Sequence, residues 1–177
     1  MENLFANHPW YYTVYPKYLI VDSHNNTKAI GGTTVCVMTL DEETLFLRTA
    51  HVGDSGYALY RMQDEGYELI YKSQDQKRSL YFPYHVIDKI NLKIGSEGDD
   101  PECAIIDMHW VDPLDLVIMG SDGLFNNVNS IVMKTILDEH YFSNKDFDLN
   151  KLAKKIAYYA YRLSMDKSEK TPFAFAA

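Results

Sequence analysis

Four strand-like runs follow one another between Gly31 and Ser73. They are GGTTVCVMTLD (Gly31–Asp41), TLFLRTAHVGD (Thr44–Asp54), YALYRM (Tyr57–Met62) and YELIYKS (Tyr67–Ser73). Each is rich in β-branched or aromatic residues, and only Asp41-Glu42-Glu43, Gly53-Asp54-Ser55-Gly56 and Asp64-Glu65-Gly66 separate them. Parallel neighbours need a crossover of a dozen or more residues, so connections this short dictate antiparallel pairing. In the second run Leu45, Leu47, Thr49 and His51 fall on one face.

The remainder adds strands and helices. Ile105–Asp112 alternates partially and reads as a further strand, while Leu116–Met119 is a continuous apolar run typical of a strand covered on both faces. Val128–Tyr141 places Ile131, Met133, Ile136 and Leu137 near helical spacing, with Asn129 or Ser130 as cap. Asp148–Asp166 repeats Leu149, Leu152, Ile156, Tyr159 and Leu163 every three or four residues; Asp148 is placed to cap it, and Pro172 stands as a stop signal beyond. Residues 1–30 read as an irregular aromatic segment (Trp10, Tyr11, Tyr12, Tyr15, Tyr18). It allows a short helix or extended piece around Tyr11–Val21, and Ser23–Thr27 is turn-like. Residues 74–102 are polar loops, and Ser96–Glu102 reads as a solvated acidic turn rather than a metal cage. The class is α+β, with antiparallel sheet and helices packed against it.

Composition narrows the functions. A chain of 177 residues suits one domain able to bury about 70% of its unfolded surface. The net charge of −8 gives no support to a nucleic-acid or anionic-membrane partner. No run approaches the roughly 20 apolar residues of a membrane span, and the first thirty residues lack the pattern of a secretory signal. Cys36 and Cys103 are the only cysteines, as expected of a soluble intracellular protein in a reducing compartment. His51 and His109 read as packed strand residues and Cys36 as an inert small hydrophobe; Arg48 and Arg61 could face phosphate, but read first as surface ion-pair partners.

Two carboxylate motifs carry chemistry. Asp54 stands at a glycine-flanked bend, Val52-Gly53-Asp54-Ser55-Gly56, and Asp122 follows the apolar strand in Gly120-Ser121-Asp122-Gly123. A carboxylate beside an apolar core loses hydration and needs a cation, hydrogen bonds or a raised pKa. Hard oxygen ligands on a rigid sheet suit Mg²⁺ or Mn²⁺. The competing reading of either motif alone is an Asx-turn bonded to its own backbone.

Taken in order, GGTTVCVMTLD, LRTAHVGDSGYALYR and DLVIMGSDGLFNNV resemble the metal-dependent protein phosphatase family, protein phosphatase 2C. The nearest branch is the one that includes mitochondrial matrix phosphatases. The resemblance runs from about Gly31 to Ala177 and extends to SQDQKRSLYFPYH and TPFAFAA. It implies a sandwich of two antiparallel sheets flanked by helices, here incomplete at both ends, so that residues 31–177 form a partial domain. It implies hydrolysis of phosphoserine and phosphothreonine by a water bridging two Mn²⁺ or Mg²⁺ ions, with a phosphoprotein as substrate and a mitochondrial address within the family. It places Asp122 on the core metal pair and Asp54 at a looser metal site.

The chain departs from the family pattern in specific places. Asn126 stands where a second Asp is usual, and an amide oxygen supplies no charge to the metal. The family's early Glu and Asp-Gly pair, its phosphate-clamping Arg, its leaving-group acid and its final Asp-Asp-Ile-Thr strand have no match here. The expectation is a fragment or a degenerate member, weak as a catalyst alone, with sheet edges open to a protein partner. The alternative is therefore an inactive phosphatase-like binding module. A phosphotransferase of the haloacid dehalogenase type needs a nucleophilic Asp two residues before its second acid; position 120 is Gly120, which excludes it.

Overall fold

The computed structural model describes residues 15–88, 98–143, 147–166, 168 and 170–176. In chain order these form α1 (Pro16–Asn26), β1 (Gly32–Thr33), β2 (Val35–Asp41), β3 (Phe46–Val52), β4 (Gly56–Gln63) and β5 (Gly66–Lys72). There follow β6 (Lys77–Ser79), β7 (Phe82–Pro83), β8 (Val86–Ile87), a 3-10 turn (Pro101–Cys103), β9 (Ile105–Trp110) and β10 (Leu116–Gly120). Helices α2 (Asp122–Phe125), α3 (Ser130–Ser143), α4 (Leu149–Met165) and α5 (Pro172–Ala176) complete the chain. The fold is α+β, antiparallel sheets flanked by helices, as expected. It divides into two compact units, Met1–Gly56 with Gln74–Pro113, and Tyr57–Ser73 with Leu114–Ala177.

In the first unit β2, β3 and β9 form an antiparallel sheet with β3 at its centre. Its central place explains why β3 is buried on both sides: Leu47, Thr49 and His51 on the expected face, Ala50 and Val52 on the other. Leu45 does not join them. It follows the turn in which Asp41 Oδ1 accepts from the Glu43 and Thr44 N–H groups, adopts φ of 55° and stays exposed. Helix α1 lays Ile20 against Ala50, Val52, Val86 and Ala104. The helix runs through Ser23–Asn26, where a turn was expected. Pro16 starts it with a preset φ, and Asn26 and Thr27 donate to the last-turn carbonyls of Asp22 and Ser23. Trp10, Tyr11 and Tyr12 of the aromatic run, and Ser96 and Glu97 of the acidic turn, lie outside the described residues.

That acidic turn is not simply solvated. Asp99 is buried, 2.8 Å from the Arg78 guanidinium, and accepts from the His85 N–H; Asp100 caps the 3-10 turn. Short strands β6, β7 and β8 cross a stretch expected to be loop: β6 pairs with β7, and β8 with β1.

The second unit holds the sheet β10-β4-β5, with β4 central and antiparallel to β5. The four runs are thus two hairpins in two sheets. Ala58, Tyr60 and Tyr67 pack against Phe125, Met133, Ile136, Leu137, Leu152, Ile156 and Ala160 from the helices. Asn129 Oδ1 accepts from the Val132 N–H, and Asp148 Oδ1 from those of Asn150 and Lys151, so both capping expectations hold. Three others do not. β10 is half-buried rather than covered on both faces: Leu116 and Ile118 pack against the helix-covered core, whereas Met119 is exposed. Ile131 is 76% exposed, since in the first turn of α3 it points away from the packed face of Met133, Ile136 and Leu137. Pro172 opens α5 at its first position instead of ending a helix, where its missing N–H costs nothing.

Candidate functional site

The Asp54 motif is held in the first unit by an interlocked bend. Gly53 takes φ of 97°, a left-handed conformation natural to glycine. Its N–H donates to Gln76 Oε1 at 3.0 Å, and its carbonyl accepts from the Gln76 N–H at 2.9 Å. Gln76 Nε2 reaches on to the Cys103 carbonyl, and Ser55 and Thr34 share a hydroxyl hydrogen bond of 2.7 Å. Asp54 is buried here, with its Oδ2 3.5 Å from the Lys77 ammonium; the same ammonium lies 2.9 Å from Asp75 Oδ2. Burial alone would lower the Lys77 pKa, but the Asp75 and Asp54 carboxylates outweigh it and hold the group above its ordinary value.

Gln76 and Lys77 belong to neither carboxylate motif. Their signal was present in SQDQKR: alternation along an extended strand puts Asp75 and Lys77 on one side, two residues apart.

The Asp122 motif belongs to the second unit. β10 ends at Gly120, Ser121 is extended, and Asp122 begins the single turn of α2, exposed, with Oδ1 accepting from the Gly123 N–H at 2.8 Å. Asn126 follows one helical turn later; its N–H donates to the Asp122 carbonyl and its carbonyl accepts from the Phe173 N–H. Spacing of four residues brings the two side chains to one side of the turn. An open groove of about 760 Å³ runs from this point between β10 and α4. Its walls include Leu116, Ile118, Leu152 and Ile156, and among the described residues no acidic, basic or histidine side chain lines it. A groove so constituted binds apolar surface, and among its described lining residues Tyr161 alone carries an ionisable side chain.

Two divalent cations ask for several carboxylates around one point. Among the described residues no group of three His, Cys, Asp or Glu side chains comes together in that way. One exposed carboxylate with a neutral amide, and in the other unit a carboxylate already facing an ammonium, do not by themselves fit a metal pair.

The remaining candidates take structural places. His51 is fully buried with Nε2 2.8 Å from the Gln74 carbonyl oxygen, and burial lowers the His109 pKa. Arg61 is no surface partner: its Nε and Nη2 form a bidentate pair with Asp115 at 2.9 and 2.8 Å, and the Asp115 side chain is 2% exposed. Arg48 lies over the Phe46 ring and 4.0 Å from Asp41.

Burial, with Asp107 nearby, pushes the Cys36 thiol from 9.0 up to about 11. The folded chain therefore keeps a proton that the unfolded chain releases. This contribution is constant below about pH 9 and is lost as the pH rises toward 11. Urea midpoints measured across that interval should fall more steeply for the native sequence than for Cys36→Ala; equal slopes would contradict the assignment.

No family model matches the chain. It is 29% identical over 168 residues to the protein phosphatase PTC7 homolog fig of Drosophila ananassae, covering 92% of this chain and 49% of that protein. It is 31% identical over 162 residues to the probable protein phosphatase 2C 55 of Arabidopsis thaliana, covering 92% and 32%. The chain thus spans about half the length, or less, of these relatives. In fold it matches the X-ray structure of the photosystem II phosphatase PBCP with a TM-score of 0.79 at 21% identity, over 97% of this chain and 60% of that one. In its ordered motifs and over most of its length the chain is thus similar in sequence to protein phosphatases of the 2C type, and in fold to a solved phosphatase.

Proposed function

We propose that this chain is part of a metal-dependent protein serine/threonine phosphatase. Residues 31–177 make up the phosphatase-like portion, and a phosphoprotein is the substrate. The observation that supports the reading most is the position of Asp122, an exposed carboxylate set at the junction of β10 and α2 in a chain similar in sequence to protein phosphatases. Asp122, with the Asn126 amide one turn on, is the portion of a Mn²⁺ or Mg²⁺ site that the second unit offers. The cation would supply charge neutralisation at phosphorus; the chain's own part is to present Asp122 on a rigid turn.

The test is phosphate release from phosphoserine and phosphothreonine peptides in millimolar Mn²⁺. Release is expected to require the cation and to fall on the order of 100-fold in Asp122→Ala, the scale of a lost metal-held charge. Release that persists in EDTA, or that is indifferent to Asp122→Ala, overturns the proposal. A second reading rests on the lack of any three-ligand cluster among the described residues: a non-catalytic module that engages a protein along the open β10 edge. No release from the native chain would favour it.

A further inference from the structure

We propose that Lys77 is the resident cation of the Gly53-Asp54 bend, an internal ammonium that occupies the place of the looser metal site implied for Asp54. The inference does not depend on the chain being a hydrolase; it concerns what neutralises one buried carboxylate.

Three observations converge. Lys77 Nζ lies between two carboxylates, 2.9 Å from Asp75 Oδ2 and 3.5 Å from Asp54 Oδ2, so the position that a divalent ion would take between them is filled. Both members of the Lys77–Asp54 pair are withdrawn from water, with side-chain exposures of 19% and 9%. The ammonium is also fixed from behind. Its neighbour Gln76 is joined to Gly53 by two hydrogen bonds and to Cys103 by a third, while Lys77 itself lies in β6, paired with β7. On the other side Arg78 is committed to Asp99 and the Tyr84 ring, so it does not compete for Asp54.

A tethered ammonium brings its charge without giving up a tightly held shell of waters, which Mg²⁺ does reluctantly. For an external ion to reach Asp54 it must displace a cation already attached to the chain. Removing that unit charge from within 3.5 Å of two carboxylates favours a divalent ion there by well over tenfold.

The experiment counts bound Mn²⁺ by calorimetry and by the loss of the free-ion paramagnetic signal. It uses the whole chain as native sequence, Asp54→Asn, Lys77→Met, Lys77→Arg, and Lys77→Met combined with Asp54→Asn. The native chain and Asp54→Asn should bind Mn²⁺ identically. Lys77→Met should gain a site at least tenfold tighter than anything the native bend offers, absent from Lys77→Arg and from the double variant. A native chain whose Mn²⁺ binding drops on Asp54→Asn overturns the proposal, as does a folded Lys77→Met without an Asp54-dependent gain. Should circular dichroism show Lys77→Met unfolded, the comparison of native chain with Asp54→Asn decides alone. Because cation binding is read rather than phosphate release, failure here leaves the phosphatase reading untouched.

Discussion

Gly53→Ala is expected to lower unfolding stability by at least about 3 kcal/mol, read as a shift of the urea midpoint. Two costs combine. A φ of 97° is strained for any residue with a Cβ, worth about 1–3 kcal/mol. The added carbon would also run into the Tyr84 carbonyl oxygen and lie 2.5 Å from Thr34 Cγ2. A backbone oxygen cannot swing aside as a side chain can, so relief comes only by moving the bend, at the expense of the two hydrogen bonds to Gln76. Gly123→Ala is the control from the other motif. A Cβ there meets only Ser121 Oγ, at 3.4 Å, within a helical turn, and the change should be neutral or stabilising by up to about 1 kcal/mol. Equal effects at the two glycines would refute the strain argument.

Arg61→Met should cost about 3 kcal/mol in the same measurement, because it takes a bidentate guanidinium from a carboxylate that has almost no contact with water. Arg61→Lys keeps the charge but loses the paired geometry and should fall between. Replacing both partners, Arg61→Met with Asp115→Leu, should recover most of the loss, since an apolar pair leaves no buried charge behind. A single variant no less stable than the native chain would mean that the carboxylate rehydrates freely.

The sequence made some of this fold readable and concealed the rest for identifiable reasons. Short turns revealed antiparallel strands, but turn length says nothing about sheet membership. The Gly53-Asp54-Ser55-Gly56 connection therefore looked like a third hairpin, although β3 and β4 belong to different sheets. Helix caps were legible at Asn129 and Asp148 because capping is local chemistry. Ile131 was misjudged since periodicity marks a face without saying how far along the helix the covering layer extends. Pro172 and Ser23–Asn26 failed for a related reason: proline and small polar residues open and close helices as readily as they interrupt them. At the candidate site both aspartates stood out by their glycines, whereas Lys77 and Gln76, ordinary in a polar stretch, gain meaning only from the chain folding back on Gly53.

The second unit is assembled from two separated stretches, Tyr57–Ser73 and Leu114–Ala177. A ribosome makes β4 and β5 first, yet the helices that cover Ala58, Tyr60 and Tyr67 arrive only after the intervening residues 74–113 have been translated. Until α3 and α4 emerge, that hairpin waits with its aromatic side uncovered, and closing so long a detour is slow. Nascent chains paused before residue 130 should accordingly be the form that chaperones hold and that clumps when they are scarce.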